Sequence, residues 1–336
     1  MEKRALGRTG LIVSAVGLGG IPFQRIDAEQ TTAIMRRALE LGINLIDTAR
    51  GYTVSESYIG QGLKQLGRER FIVATKSMKR DRQGVLEELA TSLNNLQTDY
   101  IDLYQFHNVA TQADYEVLMG ENGAYRAIME KKAEGVIRHV GITSHSVDLL
   151  NQFVEDGHFE TIQFPYNPME RQGEQVFRAA QAKGIGFLVM KPYAGGAIMN
   201  KALALRTELE NPAVSCIIPG VDSLEQLEMN ARLASPFVPL TDEERQIMQQ
   251  EADELGSRFC RRCGYCKPCA VGIDIPMVFM MEGYHTRYGL HDWVAERYDT
   301  FPKKAKDCIE CGLCESRCPY HLPIREMMSL ASRVLD

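Results

Sequence analysis

Nowhere in its 336 residues does the sequence hold an apolar run approaching the ~18 residues of a membrane span. It also lacks a basic patch: 38 Lys and Arg are spread among 44 Asp and Glu, giving a formal charge of -6 and a pI near 5.8. That balance argues against nucleic acid or an anionic membrane as the main partner and favours a small-molecule substrate. Cysteine is nearly absent from the first three quarters of the chain, where only Cys216 occurs, and there is a single tryptophan, Trp293. The other eight cysteines sit at metal-ligand rather than disulfide spacing, which implies a reducing compartment and makes the cytoplasm the expected location. The start MEKRALGRTGLIVSAVGLGG has a basic opening and apolar residues after it, yet Gly7, Gly10, Gly17, Gly19 and Gly20 break it too often for a signal peptide. It reads as a short hairpin followed by a strand. A GxGxxG turn is missing too: residues 17–20 are GLGG, which excludes the usual doubly wound dinucleotide fold.

What is present is a chain that is 45% hydrophobic and long enough for one large α/β domain of about 250 residues and a smaller module. From Asp27 onward, amphipathic helices alternate with short apolar strands. The strands are expected at 12–18, 44–47, 71–76, 100–107, 139–144, 161–165, 186–191 and 214–219. Helices are expected at 27–41, 55–66, 82–96, 124–135, 147–156, 170–184 and 224–234, their starts and stops marked by residues such as Asp27 and Gly42. Eight strands separated by helices imply a (β/α)8 TIM barrel of the α/β class. A further helix at 241–257, capped by Thr241 ahead of Glu243 and Glu244, closes the first domain. Residues 1–257 are thus assigned to the barrel and 258–336 to a small, mainly helical cysteine domain.

Barrel enzymes place reactive groups where strands end at the C-terminal face. Asp47 ends the second strand, Tyr52 lies in the loop after it, Lys76 ends the third and His107 the fourth. Together they can reduce a carbonyl. A hydride donor needs a proton source for the developing alkoxide, and a tyrosine hydroxyl can supply one. Its ordinary pKa of about 10 is too high for efficient transfer, so an ammonium that stabilises tyrosinate is needed. Lys76 fits that need, Asp47 would hold Lys76 charged, and His107 would direct the substrate oxygen by a hydrogen bond.

The segment DTARGYTVSESYIG resembles the DTAxxYGxSExxLG pattern of the aldo-keto reductase family, with Thr53 where glycine is usual. The resemblance covers roughly residues 3–234, and the family's Asp, Tyr, Lys and His tetrad falls on Asp47, Tyr52, Lys76 and His107. It implies an extended nicotinamide dinucleotide, NADP(H) or NAD(H), across the barrel mouth. Thr143 and Ser144 sit where the family has Ser and Asn on the carboxamide, and Gln163 matches the next carboxamide ligand. Met190 stands where an aromatic ring usually covers the nicotinamide, its alternative role being core filler, and Lys191 could reach the pyrophosphate. In IPGVDSLEQLEMN, Gly220, Ser223, Gln226 and Asn230 match the adenosine-phosphate segment at a helix start. Val221 and Asp222 replace the basic residue that would pair with a 2′-phosphate, which leaves NADH open.

Cys260, Cys263, Cys266 and Cys269 form CxxCxxCxxC, and Cys308, Cys311, Cys314 and Cys318 form CxxCxxCxxxCP with Pro319. The second is the bacterial ferredoxin spacing, in which three cysteines bind one cubane and the fourth binds the other. Two [4Fe-4S] clusters are expected: Cys260, Cys263 and Cys266 with Cys318, and Cys308, Cys311 and Cys314 with Cys269. Paired structural zinc sites are the alternative. Cys216 reads as an inert core residue. This ending resembles the ferredoxin-type extension of one aldo-keto reductase branch. No flavin signature bridges two-electron hydride and one-electron cluster chemistry. The expected function is therefore carbonyl reduction or alcohol oxidation on a small substrate, with an electron-transfer partner possible and the oligomeric state open. The alternative is an electron-transfer or redox-sensing protein that uses the barrel as a scaffold.

Overall fold

The computed structural model describes residues 1–336. It divides into two compact units, one of residues 1–167, 171–192 and 205–240, the other of 168–170, 193–204 and 241–336. No helix is long and apolar enough to cross a membrane.

The first unit opens with an antiparallel hairpin, β1 (Lys3–Ala5) and β2 (Ile12–Ser14), in which Lys3 faces Ser14. Eight parallel strands follow: β3 (Leu18–Gly19), β4 (Leu45–Asp47), β5 (Ile72–Ser77), β6 (Ile101–Phe106), β7 (Ile137–Thr143), β8 (Thr161–Pro165), β9 (Gly186–Met190) and β10 (Cys216–Ile218). Each pairs with its sequence neighbours. Single bridges from Val16 to Ile217 and from Gly19 to Gly220 bring the two ends of the sheet together, so the barrel is nearly closed.

The expected strand at 12–18 is a composite. Ile12–Ser14 belongs to the hairpin, and only Leu18–Gly19 forms barrel strand. The physical reason lies in the plug beneath the barrel: Leu6 and Val13 are fully buried against Leu45, Ala74, Leu103, Leu188 and Cys216. Burying two such side chains is worth about 1.5–3 kcal/mol each, enough to divert the apolar run from continuous pairing. Gly7 lets the hairpin approach this closely, because at φ 55° an added Cβ would lie 2.2 Å from the Gly186 nitrogen. Cys216 is sealed in the same core, and burial pushes its thiol far above the ordinary range, as an inert residue requires.

Caps set the helix positions. Asp27 accepts from the Gln30 backbone in a complete capping box ahead of Ala28–Glu40, whose Ile34, Met35 and Ala38 are buried. Ser146 and Ser223 cap Val147–Asp156 and Leu224–Ala234 in the same way.

The second unit is helical. Ile275–Thr286, His291–Asp299 and Ile324–Leu335 share a core of Val278, Met281, Val294, Tyr298, Met328 and Ala331. The helix Asp242–Gly256, with its Thr241 and Glu244 capping box, also belongs to this unit.

Candidate active site and cysteine centre

The structure gathers all four polar residues at the C-terminal ends of neighbouring strands. Lys76 in β5 is buried at 1% exposure, and its Nζ donates to Asp47 Oδ2 at 2.5 Å and to the Thr48 carbonyl at 2.8 Å. The same Nζ lies 5.2 Å from the centre of the Tyr52 ring, and Tyr52 meets His107 edge to face at 5.9 Å. Burial pushes the Asp47 carboxyl up and the Lys76 ammonium down, while their mutual attraction opposes both shifts. Burial, reinforced by the positive charges of Lys76, Arg80 and Lys191, drives His107 down to about 3, so its imidazole is neutral at physiological pH.

A buried carboxylate holds the tyrosine loop. Glu56 is completely enclosed and accepts from Arg50 at 2.6 Å, Thr75 at 2.7 Å, Ser92 at 2.7 Å and Asn95 at 3.3 Å. Arg50 also donates its backbone N–H to the Lys76 carbonyl, so the charge pair fixes the loop between Asp47 and Tyr52. Thr53, where the resembled pattern has glycine, adopts a left-handed φ of 43°. That conformation suits glycine and strains a β-branched residue, which gives the family's preference a local cause. The Thr53 hydroxyl donates to Gln24 at 3.0 Å.

The nicotinamide candidates are already engaged by protein. Thr143 Oγ1 accepts from the Asn108 N–H at 2.7 Å and keeps its own hydrogen to donate. Ser144 Oγ donates to the Val109 carbonyl at 2.7 Å and accepts from the Ser146 N–H at 3.1 Å. Gln163 accepts from Gln105 at 2.9 Å, and Gln105 reaches Asp47 at 3.4 Å, so a polar chain links the carboxamide candidate to the charge pair. Met190 ends β9 half-buried. Lys191 follows in a left-handed conformation at φ 58°, its carbonyl accepting from Asn167 at 3.0 Å.

At the adenosine candidate segment, Gly220 bridges Gly19, and a Cβ there would meet Pro22 at 2.8 Å. Ser223 accepts from the Gln226 N–H at 3.3 Å, the Gln226 side chain accepts from the Asp222 N–H at 3.1 Å, and Asn230 is buried. Asp222 pairs with Arg25 at 2.6 Å. Arg25, Gln105 and Arg80 carry no motif in the sequence, whereas Glu56 is the acidic residue of the DTARGYTVSESYIG segment. Gln105 falls on the same face of its strand as Ile101 and Leu103, which was the one available hint.

The second unit carries all eight motif cysteines, with Cys266 and Cys318 buried. Cys269 lines a small pocket with Cys308, Cys311 and Cys314. Cys260 and Cys263 feel the charge of Cys318, and Cys266 that of Cys260, Cys263 and Cys314. Burial, with those neighbouring thiols, pushes Cys260 up to about 11 and Cys266 up to about 12. The loop between Cys260 and Cys263 is anchored at both arginines. Arg261 Nε donates to the Met169 carbonyl at 3.1 Å, and Arg262 pairs at 2.8 Å with Glu170, which is completely buried. Eight cysteines, four in each motif, are a donor set suited to cubanes or to zinc.

Residues 15–204 match the Aldo/keto reductase family, and residues 259–323 match a 4Fe-4S dicluster domain. The chain belongs to the aldo/keto reductase family. L-Galactose dehydrogenase of Arabidopsis thaliana is 27% identical over 303 residues, covering 75% of this chain and 94% of that protein. NADH-specific methylglyoxal reductase of Escherichia coli (strain K12) is 32% identical over 226 residues, 58% of this chain and 68% of that reductase. Among solved structures, the holo form of aldo-keto reductase AKR11C1 from Bacillus halodurans superposes with a TM-score of 0.66 at 30% identity, over 75% of this chain and 96% of that one. This aldo/keto reductase is an oxidoreductase-family barrel with a C-terminal 4Fe-4S domain.

Proposed function

We propose that the chain reduces a small aldehyde or ketone, or oxidises the corresponding alcohol, with a nicotinamide dinucleotide at the mouth of the barrel. The observation that carries this reading is the convergence of Tyr52, Lys76, Asp47 and His107 from three strands, with Lys76 Nζ poised beside the tyrosine ring. Tyr52 acts as the general acid toward the substrate oxygen, and Lys76 stabilises the tyrosinate left behind. Asp47 keeps Lys76 charged against the cost of burial. His107, its Nδ1 buried without a hydrogen-bond partner, would direct the carbonyl oxygen by a ring N–H. NAD(P)H would supply the hydride. Thr143 would hold the carboxamide through its remaining hydroxyl hydrogen with Gln163 beside it, Met190 would cover the ring, and Lys191, Gly220, Ser223, Gln226 and Asn230 would meet the phosphates and adenosine. The Asp222 carboxylate at the 2′ position supports NADH as the better donor.

The spacing of the two motifs, with Cys269 in one pocket with Cys308, Cys311 and Cys314, supports two [4Fe-4S] clusters, ligated across the motifs as Cys260, Cys263, Cys266 and Cys318, and Cys269, Cys308, Cys311 and Cys314. They would supply one-electron chemistry to a redox partner, in a reducing cytoplasm that keeps the thiols free. The test is a carbonyl-substrate and cofactor screen on anaerobically prepared, cluster-loaded protein. Tyr52→Phe should lose at least about a hundredfold in kcat, the size of a general-acid contribution, while binding the dinucleotide normally. Turnover unchanged in that variant would rule the mechanism out. A second reading, a barrel serving as scaffold for electron transfer, draws on the fully committed Ser144 hydroxyl. It predicts that no carbonyl is turned over with either dinucleotide.

A further inference from the structure

Arg80 follows β5 by three residues and belongs to none of the groups described above, yet it sits directly behind His107. Its backbone is clamped, since its carbonyl accepts from the Ala124 N–H at 2.8 Å and the adjacent Asp81 bridges Gly123. One guanidinium nitrogen, Nη2, donates to the carbonyls of His107 at 2.7 Å and Asn108 at 3.0 Å. The other two, Nε and Nη1, are buried without a hydrogen-bond partner. The one acidic group that acts on it is Asp114, through space. An arginine cannot shed its proton in a protein, so this is a partly buried positive charge compensated by two backbone carbonyls and, through space, by Asp114.

The segment it grips links both halves of the candidate site. Asn108 is left-handed at φ 51°, and its N–H donates to Thr143 Oγ1. Val109 gives its N–H to the Thr143 carbonyl at 2.9 Å and receives the Ser144 hydroxyl. On the other side, the His107 N–H donates to the Ser77 carbonyl at 2.8 Å. The charged and titratable groups that face the His107 ring are Lys76 from β5, Arg80 from the turn after it, Lys191 from the end of β9 and Tyr52 from the loop after β4. None is acidic.

We propose that Arg80 is a positioning residue for the carbonyl reaction: it fixes the His107 and Asn108 carbonyls and places its positive charge beside the His107 imidazole. A neutral ring offers a single N–H to the carbonyl oxygen and cannot deliver a proton to the alkoxide, so Tyr52 is left as the proton donor. This rests on the catalytic reading of the tetrad, but its readout does not need turnover. In the full, cluster-loaded chain, the imidazole of His107 is followed by NMR against pH, its resonance identified among seven histidines by its loss in His107→Gln. In the parent and in Arg80→Lys, which keeps the charge, His107 should remain neutral to the acid limit of the fold. In Arg80→Gln it should titrate about one pH unit or more higher. Arg80→Lys, having lost the two-carbonyl grip, should still lose several-fold in kcat/KM with an unshifted pH profile. Identical His107 titration in Arg80→Gln and the parent would overturn the electrostatic role. Parent-like kcat/KM in Arg80→Lys would overturn the positioning role and decides the matter even if Arg80→Gln does not fold. Activity retained by Tyr52→Phe would instead remove the tetrad reading, whatever His107 does.

Discussion

Glu208 is a carboxyl group in the wrong place: completely buried, with neither oxygen hydrogen-bonded, and pushed by burial well above the ordinary carboxyl range. The sign of its pH effect follows from proton counts. Above the unfolded pKa of about 4.3, the unfolded chain releases a proton that the native state keeps, so stability falls as pH rises toward the folded value. Glu208→Gln should remove that slope and raise stability at pH 8 by about 1–3 kcal/mol, with the advantage vanishing near pH 4, as read by urea unfolding across pH. Asp222 makes the complementary case for specificity. On the dinucleotide placement proposed above, replacing it with arginine would remove a like charge from the 2′ position, and it frees Arg25 from its ion pair. The NADPH to NADH ratio of kcat/KM should then rise roughly tenfold or more. At this scale, what sequence showed depended on register. Asp47, Lys76 and His107 stand out because an ionisable residue ends an apolar run. Gln105 and Arg80 carry no such mark, because their meaning lies in burial and in partners 27 to 58 residues away.

At the scale of elements, the strands of the barrel were legible because parallel strands buried on both faces are short apolar runs between caps and glycines. The first strand was not, since the run 12–18 is shared between a hairpin and a barrel edge and nothing local marks the division. The helices Gln112–Met119, Lys201–Leu209, His291–Asp299 and Ile324–Leu335 also escaped. Three of the four lie in or beside stretches organised around loops and the cysteine core, where apolar spacing answers to irregular neighbours. The Arg262 and Glu170 pair shows how the second unit is held without long strands or helices around its first motif. Removing the carboxylate leaves Arg262 charged and largely buried. Glu170→Ala should therefore cost about 3–5 kcal/mol in that unit. Thermal unfolding of the cluster-loaded chain, together with iron retained after anaerobic gel filtration, would register the loss.

For the whole molecule, a barrel at the amino-terminal end and cysteine motifs at the other could be read from spacing alone. The inclusion of 168–170 and 193–204 in the second unit could not, because these segments follow β8 and β9 in sequence and only contacts assign them. Iron and acid-labile sulfide analysis of anaerobically purified protein should give about eight irons per chain, the content of two cubanes. Four would leave one thiol group without a cluster, and bound zinc with no iron would contradict the assignment. The central claim is that Tyr52 supplies the proton for a hydride transfer at the barrel mouth. Its most direct measurement is a single-turnover stopped-flow experiment on cluster-loaded protein, following the decay of reduced-nicotinamide absorbance on mixing with a carbonyl substrate. The decay should slow by at least about a hundredfold in Tyr52→Phe at unchanged dinucleotide affinity, and a decay as fast as the parent's would contradict the account.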